Sequence, residues 1–119
     1  MALYGASPVS TQRHPITHWV TFRGESSVLV RASGNVSSIT DRGTGYYSVN
    51  FSTNMPDINY CIFGNTVKGD ENDDGNAGLQ AGGCDSSIQI YTSNCRVRTK
   101  VMSNNDSQDT QYAHVAFTH

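Results

Sequence analysis

The clearest pattern in the chain is the strict alternation at 46–53, YYSVNFST. Tyr47, Val49 and Phe51 fall on one side there, and Ser48, Asn50 and Ser52 on the other. A period of two puts successive side chains on opposite faces of a pleated strand, so this segment predicts a strand with one dry and one wet face. Comparable short runs precede it. ITHWVTFR (16–23) and SVLVRAS (27–33) are rich in β-branched and aromatic residues and lie at hairpin distance across Arg23-Gly24-Glu25. NVSSIT (35–40) follows Gly34, and a glycine at such a point marks a bulge or bend. Asp41-Arg42-Gly43-Thr44-Gly45 reads as a turn whose two glycines supply positive φ. Met55-Pro56-Asp57 ends the alternating segment, because proline cannot donate inside a ladder. INYCIFGNTV (58–67) is the most apolar run and predicts a central strand.

Beyond it, 68–78 is a polar, acidic loop, and LQAGGC (79–84) a short strand. SIQIYTS (87–93) alternates Ile88, Ile90 and Thr92 against Gln89 and Tyr91. CRVRTKVMS (95–103) alternates Cys95, Val97, Thr99 and Val101 against Arg96, Arg98 and Lys100. After a turn at 104–109, QYAHVAFTH (111–119) places Ala113, Val115 and Phe117 on one face. No window has a helical period. Short strands divided by turns at a spacing of roughly eight to twelve residues predict an all-β domain over 16–119. The expected form is an antiparallel β-sandwich of about seven to nine short strands. Residues 1–15 hold two of the three prolines and no sustained period, which predicts an extended N-terminal arm. Leu3, Tyr4 and Pro8 are its candidate attachment residues; composition leaves a frayed terminus and a docking peptide both open.

Composition narrows the class. A chain of 119 residues has the length of one small domain. Hydrophobic residues make up 36% and charged residues 15%, so Ser, Thr, Asn, Gln and Gly fill the rest, which excludes a long helical bundle. The net charge of −2 and pI of about 6.0 give no electrostatic footprint for nucleic acid or an anionic membrane. No apolar run reaches membrane-spanning length, so neither nucleic acid nor membrane insertion is expected. The N-terminus lacks a cationic lead followed by a long apolar stretch, which predicts folding in a cytosol without a signal-peptide route.

Candidate chemistry is sparse. Cys61, Cys84 and Cys95 are an odd number with no C-x-x-C, which argues for small buried hydrophobes rather than zinc ligands; a Cys84–Cys95 bridge is an open alternative. His14, His18, His114 and His119 lie near the two ends and can converge in space, as metal ligands or as surface and contact residues. Asp70, Asn72 and Asp74, followed by Gly75, repeat the first half of a calcium loop. Ala81 stands where a closing Glu belongs, so no cofactor is expected, with weak calcium binding the one alternative. No glycine-rich phosphate cradle and no G-x-S-x-G is present, and an enzyme is not expected. Alternation puts Tyr46 and Tyr91 on the polar sides of their strands, which makes them candidates for exposed contact.

The run NVSSITDRGTGYYSVNFSTNMPDINY (35–60) adds a family. It resembles a recurring C-terminal module of bacteriophage tail fibres, especially in phages of cyanobacteria and other aquatic bacteria. The preceding His18–Gly24 and Val28–Ala32 segments, the closing Arg96-Val97-Arg98-Thr99 and the final strand are similar as well, so the likeness spans roughly 17–118. It implies a β-sandwich that assembles as a homotrimer, displayed on the virion tail and touching a host-surface glycan or protein. Strand faces such as Trp19, Val49 and Phe51 would build its core. In fibres the module ends a long chain, whereas Met1 here stands only a short arm upstream. The expectation is therefore a separate virion protein, made in the host cytoplasm and joined to a tail or baseplate protein through its arm. The resemblance identifies no individual receptor-binding residues; the candidates, taken from the residues themselves, are Arg42, Tyr46, Asp70, Asp73, Asp74 and Tyr91. The alternatives are a free lectin-type module and a capsid or neck decoration protein.

Overall fold

The computed structural model describes residues 15–67, 77–83, 88–101 and 106–119, with the side chains of Ala77 and Val101 excepted. It is an all-β sandwich. The strands are β1 (Ile16–Arg23), β2 (Leu29–Gly34), β3 (Val36–Gly43), β4 (Tyr46–Phe51), β5 (Cys61–Val67), β6 (Ala77–Ala81), β7 (Asn94–Val101) and β8 (Tyr112–Thr118). They form two four-stranded sheets, in the orders β2-β1-β8-β5 and β3-β4-β7-β6. Every neighbouring pair is antiparallel.

The inward faces follow the period of two. Tyr47, Val49 and Phe51 of β4 are buried, as are Cys95, Val97 and Thr99 of β7 and Ala113, Val115 and Phe117 of β8. β1 contributes His18, Val20 and Phe22. Aromatic rings meet edge-on between the layers: Phe51 lies 5.0 Å from Phe117 and 4.8 Å from His18, and Phe22 lies 5.0 Å from Tyr47. Such contacts add roughly 0.5–1.5 kcal/mol each beyond the burial of their area.

Four expectations are corrected. Trp19 is not a core residue; it is 40% exposed, on the outer face of β1. The 58–67 run is not central: β5 is an edge strand, exposed along most of its length. Its apolar residues are divided between the interior (Ile62) and the surface (Phe63, Val67), so apolar content misstated its place. Cys61 at its start is exposed rather than a buried hydrophobe, whereas Cys95 is buried. The 87–93 run is not a strand. Its described part is an arch held by the Ile90–Cys95 bridge and the Gln89 N–H donating to the Gly82 carbonyl at 2.7 Å. There Gln89 is buried and Ile88 is 78% exposed, against the expected alternation, while Ile90 packs half-buried against the core and Tyr91 is exposed. Cys84 lies outside the described residues, and the Cys84–Cys95 pairing with it.

Gly34 marks a change of sheet. β2 ends in the first sheet and β3 begins in the second, and Asn35 between them takes φ 57°. A Cβ on Gly34 would sit 2.3 Å from the Trp19 indole nitrogen, so only glycine lets that ring lie against the strand. The β3–β4 turn uses Gly43 (φ 129°) and Gly45 (φ 74°), as the spacing predicted.

The tightest polar cluster ties this turn to the opposite sheet. The Tyr47 hydroxyl and the Gly45 N–H both donate to one Asp109 carboxylate oxygen, at 2.5 and 2.8 Å. The Gly24 N–H donates to the Thr110 carbonyl at 2.9 Å. A Cβ on Gly24 would stand 2.1 Å from the Tyr47 hydroxyl oxygen. Gly24→Ala is therefore expected to lower unfolding free energy by about 1–3 kcal/mol through overpacking, read as a lower urea midpoint at unchanged slope. Burial, then the Asp109 hydrogen bond and charge, push the Tyr47 phenol well above its ordinary pKa of 10.0. Burial does the same for Tyr60. Because the folded state holds both phenols neutral, their contribution is complete below about pH 10 and is lost as pH rises beyond it. The expected result is a urea midpoint that falls steeply above about pH 10, with two of the six tyrosines silent at 295 nm until unfolding.

Candidate functional site

A β-sandwich offers its outer sheet faces, its edges and its loops for binding. The loop residues singled out by sequence separate in space. Tyr46 lies at the start of β4 opposite Arg98, whose guanidinium sits 5.4 Å from the Tyr46 ring centre. Arg42 is nearby on β3 and donates to the Ser48 hydroxyl at 2.5 Å, which covers Ser48 on what the alternation marks as a wet face. Arg42 and Tyr46 thus share the outer side of the second sheet with Arg96, Arg98 and Lys100. Tyr91 is exposed but sits in the arch before β7, at the end of that sheet where Asn94 pairs with Asn50. Tyr46 and Tyr91 do not form one pocket: four residues of β7, about 13 Å, separate their pairing positions. Asp70, Asn72, Asp73 and Asp74, and with them the calcium reading, lie outside the described residues. So do Leu3, Tyr4 and Pro8.

The three described histidines do not gather as a site. His18 is buried, its Nε2 2.7 Å from the Thr53 carbonyl oxygen. His114 faces outward on β8, and His119 meets Asp57 at 2.9 Å. The Asn59 N–H and His119 hold the Asp57 carboxyl below its ordinary value. His14 lies outside the described residues. Among the described residues no three His, Cys, Asp or Glu side chains group as metal ligands.

A second constellation was not legible as a site in the sequence. On the outer face of the first sheet, register places Trp19, Ala116 and Phe63 in one row across β1, β8 and β5. Thr21, His114 and Asn65 form the next row. Trp19 and Phe63 are exposed by 40% and 46%, and their Cα atoms are two strand spacings apart, about 10 Å. Ala116 between them leaves the floor low. Tyr112, further along β8, stacks on His114 with ring centres 5.8 Å apart and planes within 12°. The Thr21 hydroxyl lies 3.0 Å from His114 Nδ1.

A β-bulge completes this face. Partners of β1 jump from Ala32 to Val30, leaving Arg31 as the additional residue. A bulge re-aims a side chain. Here the Arg31 guanidinium lies 4.2 Å from the Tyr112 ring centre and donates to the Gln111 carbonyl at 3.1 Å. At the β5 edge Phe63 turns the corner into an open groove of about 420 Å³, lined also by Tyr60, Ile62, Gly64, Leu79 and Ala81. The parity of 16–23 held the signal: with His18, Val20 and Phe22 inside, Trp19 must point out. Assigning Trp19 to the core together with Val49 and Phe51 hid it.

No protein-family model matches the chain, and no curated protein and no solved structure matches it.

The face does little for stability, since its rings are half in water and its ion contact is exposed. Arg31→Ala and Phe63→Ala are each expected to change unfolding free energy by no more than about 1 kcal/mol, against about 3–5 kcal/mol for the buried Phe117→Ala, by urea denaturation.

Proposed function

We propose that the protein is a non-enzymatic virion component of the tail-fibre and receptor-binding class, which attaches a phage tail to its host surface. The observation that carries this reading is the 35–60 run. Its likeness to tail-fibre modules extends through strands and turn together, from the Gly34–Asn35 crossing to Tyr60. The architecture supports it: antiparallel sheets with wide outer faces suit docking, and recognition on a rigid β scaffold is a recurrent solution. In this reading the 1–15 arm joins the chain to a tail or baseplate protein. Three copies assemble, and weak single contacts gain strength from multiplicity. Capsid or neck decoration remains the competing placement, and particle location separates the two.

Deleting residues 1–15 is expected to leave the melting transition of the domain in place and to abolish its incorporation into particles, followed by mass spectrometry of purified virions. Normal incorporation of the truncated chain would remove the arm's role. Isolated protein at micromolar concentration is expected to compete with phage adsorption and to scatter light as a trimer. A monomer without effect on adsorption would count against the whole reading.

A further inference from the structure

We propose that the outer face of the first sheet binds an acidic polysaccharide, laid across β1, β8 and β5 with its sugar rings against Trp19 and Phe63. For its biological setting this rests on the attachment reading above; its chemistry rests on the face.

The first argument is charge. The strands β1, β2, β5 and β8 contain Arg23 and Arg31 and no Asp or Glu, although the chain has ten acidic residues and a net charge of −2. The strands of this face thus carry cations and no acid, and the nearby Glu25 of the β1–β2 connection accepts from Gln111 Nε2 at 2.7 Å, so the strand surface is complementary to an anion. The Arg31 bulge brings its cation onto the face itself, over Tyr112.

The second argument is the kind of surface. Exposed aromatic faces alternate with small residues and with hydrogen-bonding groups that are already fixed. The Arg31–Tyr112–His114–Thr21 chain joins β2, β8 and β1 through a cation–π contact, a ring stack and a hydrogen bond. A ligand meeting such groups loses little freedom in ordering them. A sugar chain presents apolar ring faces to Trp19 and Phe63, hydroxyls to His114 and Asn65, and a carboxylate to Arg31.

The third argument is size. Four strands at about 4.8 Å and about seven residues at 3.3 Å give roughly 440 Å² per copy, or about 900 Å² for two faces pressed together. A stable pair of proteins buries about 1,200–2,000 Å², so a second copy is a poor occupant for this face alone. Single-stranded nucleic acid fits less well, because it needs a cation near each phosphate, and this face carries two arginines at one end.

Trp19 is the only tryptophan of the chain, so its fluorescence reports occupancy directly. The full chain is titrated with polygalacturonate, alginate and hyaluronan, and with neutral dextran and oligo-dT for comparison. The expected result is a shift in Trp19 emission with at least one acidic chain, weakened by added salt, and little response to dextran. Phe63→Ala is expected to weaken binding about tenfold. Arg31→Gln is expected to weaken it and to flatten its salt dependence. Thermal melts confirm that both variants fold. The proposal is overturned if none of the three acidic chains binds, if both variants bind as the parent does, or if oligo-dT binds more tightly than every saccharide. It is equally overturned if Phe63→Ala only dissolves an oligomer without touching saccharide binding. Acidic saccharide binding through this face by a chain absent from virions would remove the attachment reading and leave the face. A proven virion component whose variants bind as the parent does would remove the face and leave attachment.

Discussion

At one end of the sandwich, three segments of the chain meet on the side chain of Tyr47. It rises from β4, meets Phe22 of the opposite sheet edge-on, and ends beneath Gly24, where a side chain of any kind would collide with its hydroxyl. A buried phenol must find an acceptor or lose the free energy of its hydration. Asp109 supplies it and takes the Gly45 N–H with the same oxygen. The exit of β1, the β3–β4 turn and the approach to β8 therefore meet on one ring. The Gly24 and Glu25 N–H groups both donate to the Thr110 carbonyl, which joins the end of β1 to the start of β8. That junction fixes the register in which Trp19 stands opposite Ala116 and Thr21 opposite His114. The outer face inherits its order from the inner lock.

The frame was legible where one face is dry and the other wet. β4, β7 and β8 follow their period of two, and the Asp41–Gly45 turn uses its glycines as the sequence requires. Legibility failed where burial is not two-sided in that way. β5 is an edge strand whose outward residues include Phe63 and Val67, so hydrophobicity made it look central. The arch at 88–93 alternates by composition, but its hydrogen bonds run to Gly82 and Asn94 and bury Gln89 instead of Ile88. The period of two does not register acceptors in the neighbouring turns. The candidate site was half legible for a related reason. Arg42 and Tyr46 do share an outer face, yet Trp19, Phe63 and Tyr112 become a site only through the pairing of β1, β8 and β5, which no window of sequence contains.

The outer faces also show how this fold treats its edges. An edge strand left bare invites pairing with another chain. β2 answers with the bulge at Arg31, which interrupts its ladder and adds a cation. β5 lies beside the groove shared with β6, where Leu79 and Ile62 approach across the open side of the sandwich. The same device that protects the β2 edge places Arg31 over Tyr112. Edge protection and the preparation of a binding face are one structural event here.

Net charge is a sum that the fold takes apart. Of the five Asp and Glu among the described residues only Asp41 lies in a strand, while Arg23, Arg31, Arg42, Arg96, Arg98 and Lys100 all do. The other four described acids, Glu25, Asp57, Asp106 and Asp109, sit in connections, and the cations lie across the sheets. A chain at −2 overall therefore carries two locally cationic strand surfaces, each with an arginine beside an aromatic ring, Arg31 at Tyr112 and Arg98 at Tyr46. The bulk figure gives no broad field for a polyanion such as duplex DNA, because at a distance the acids of the chain offset its cations. At contact range, within a Debye length, the cancellation fails and each face is read separately. A ligand that lies flat on a sheet and stays clear of the loops meets the cations without the acids, which favours a thin, extended acidic chain over a bulky one.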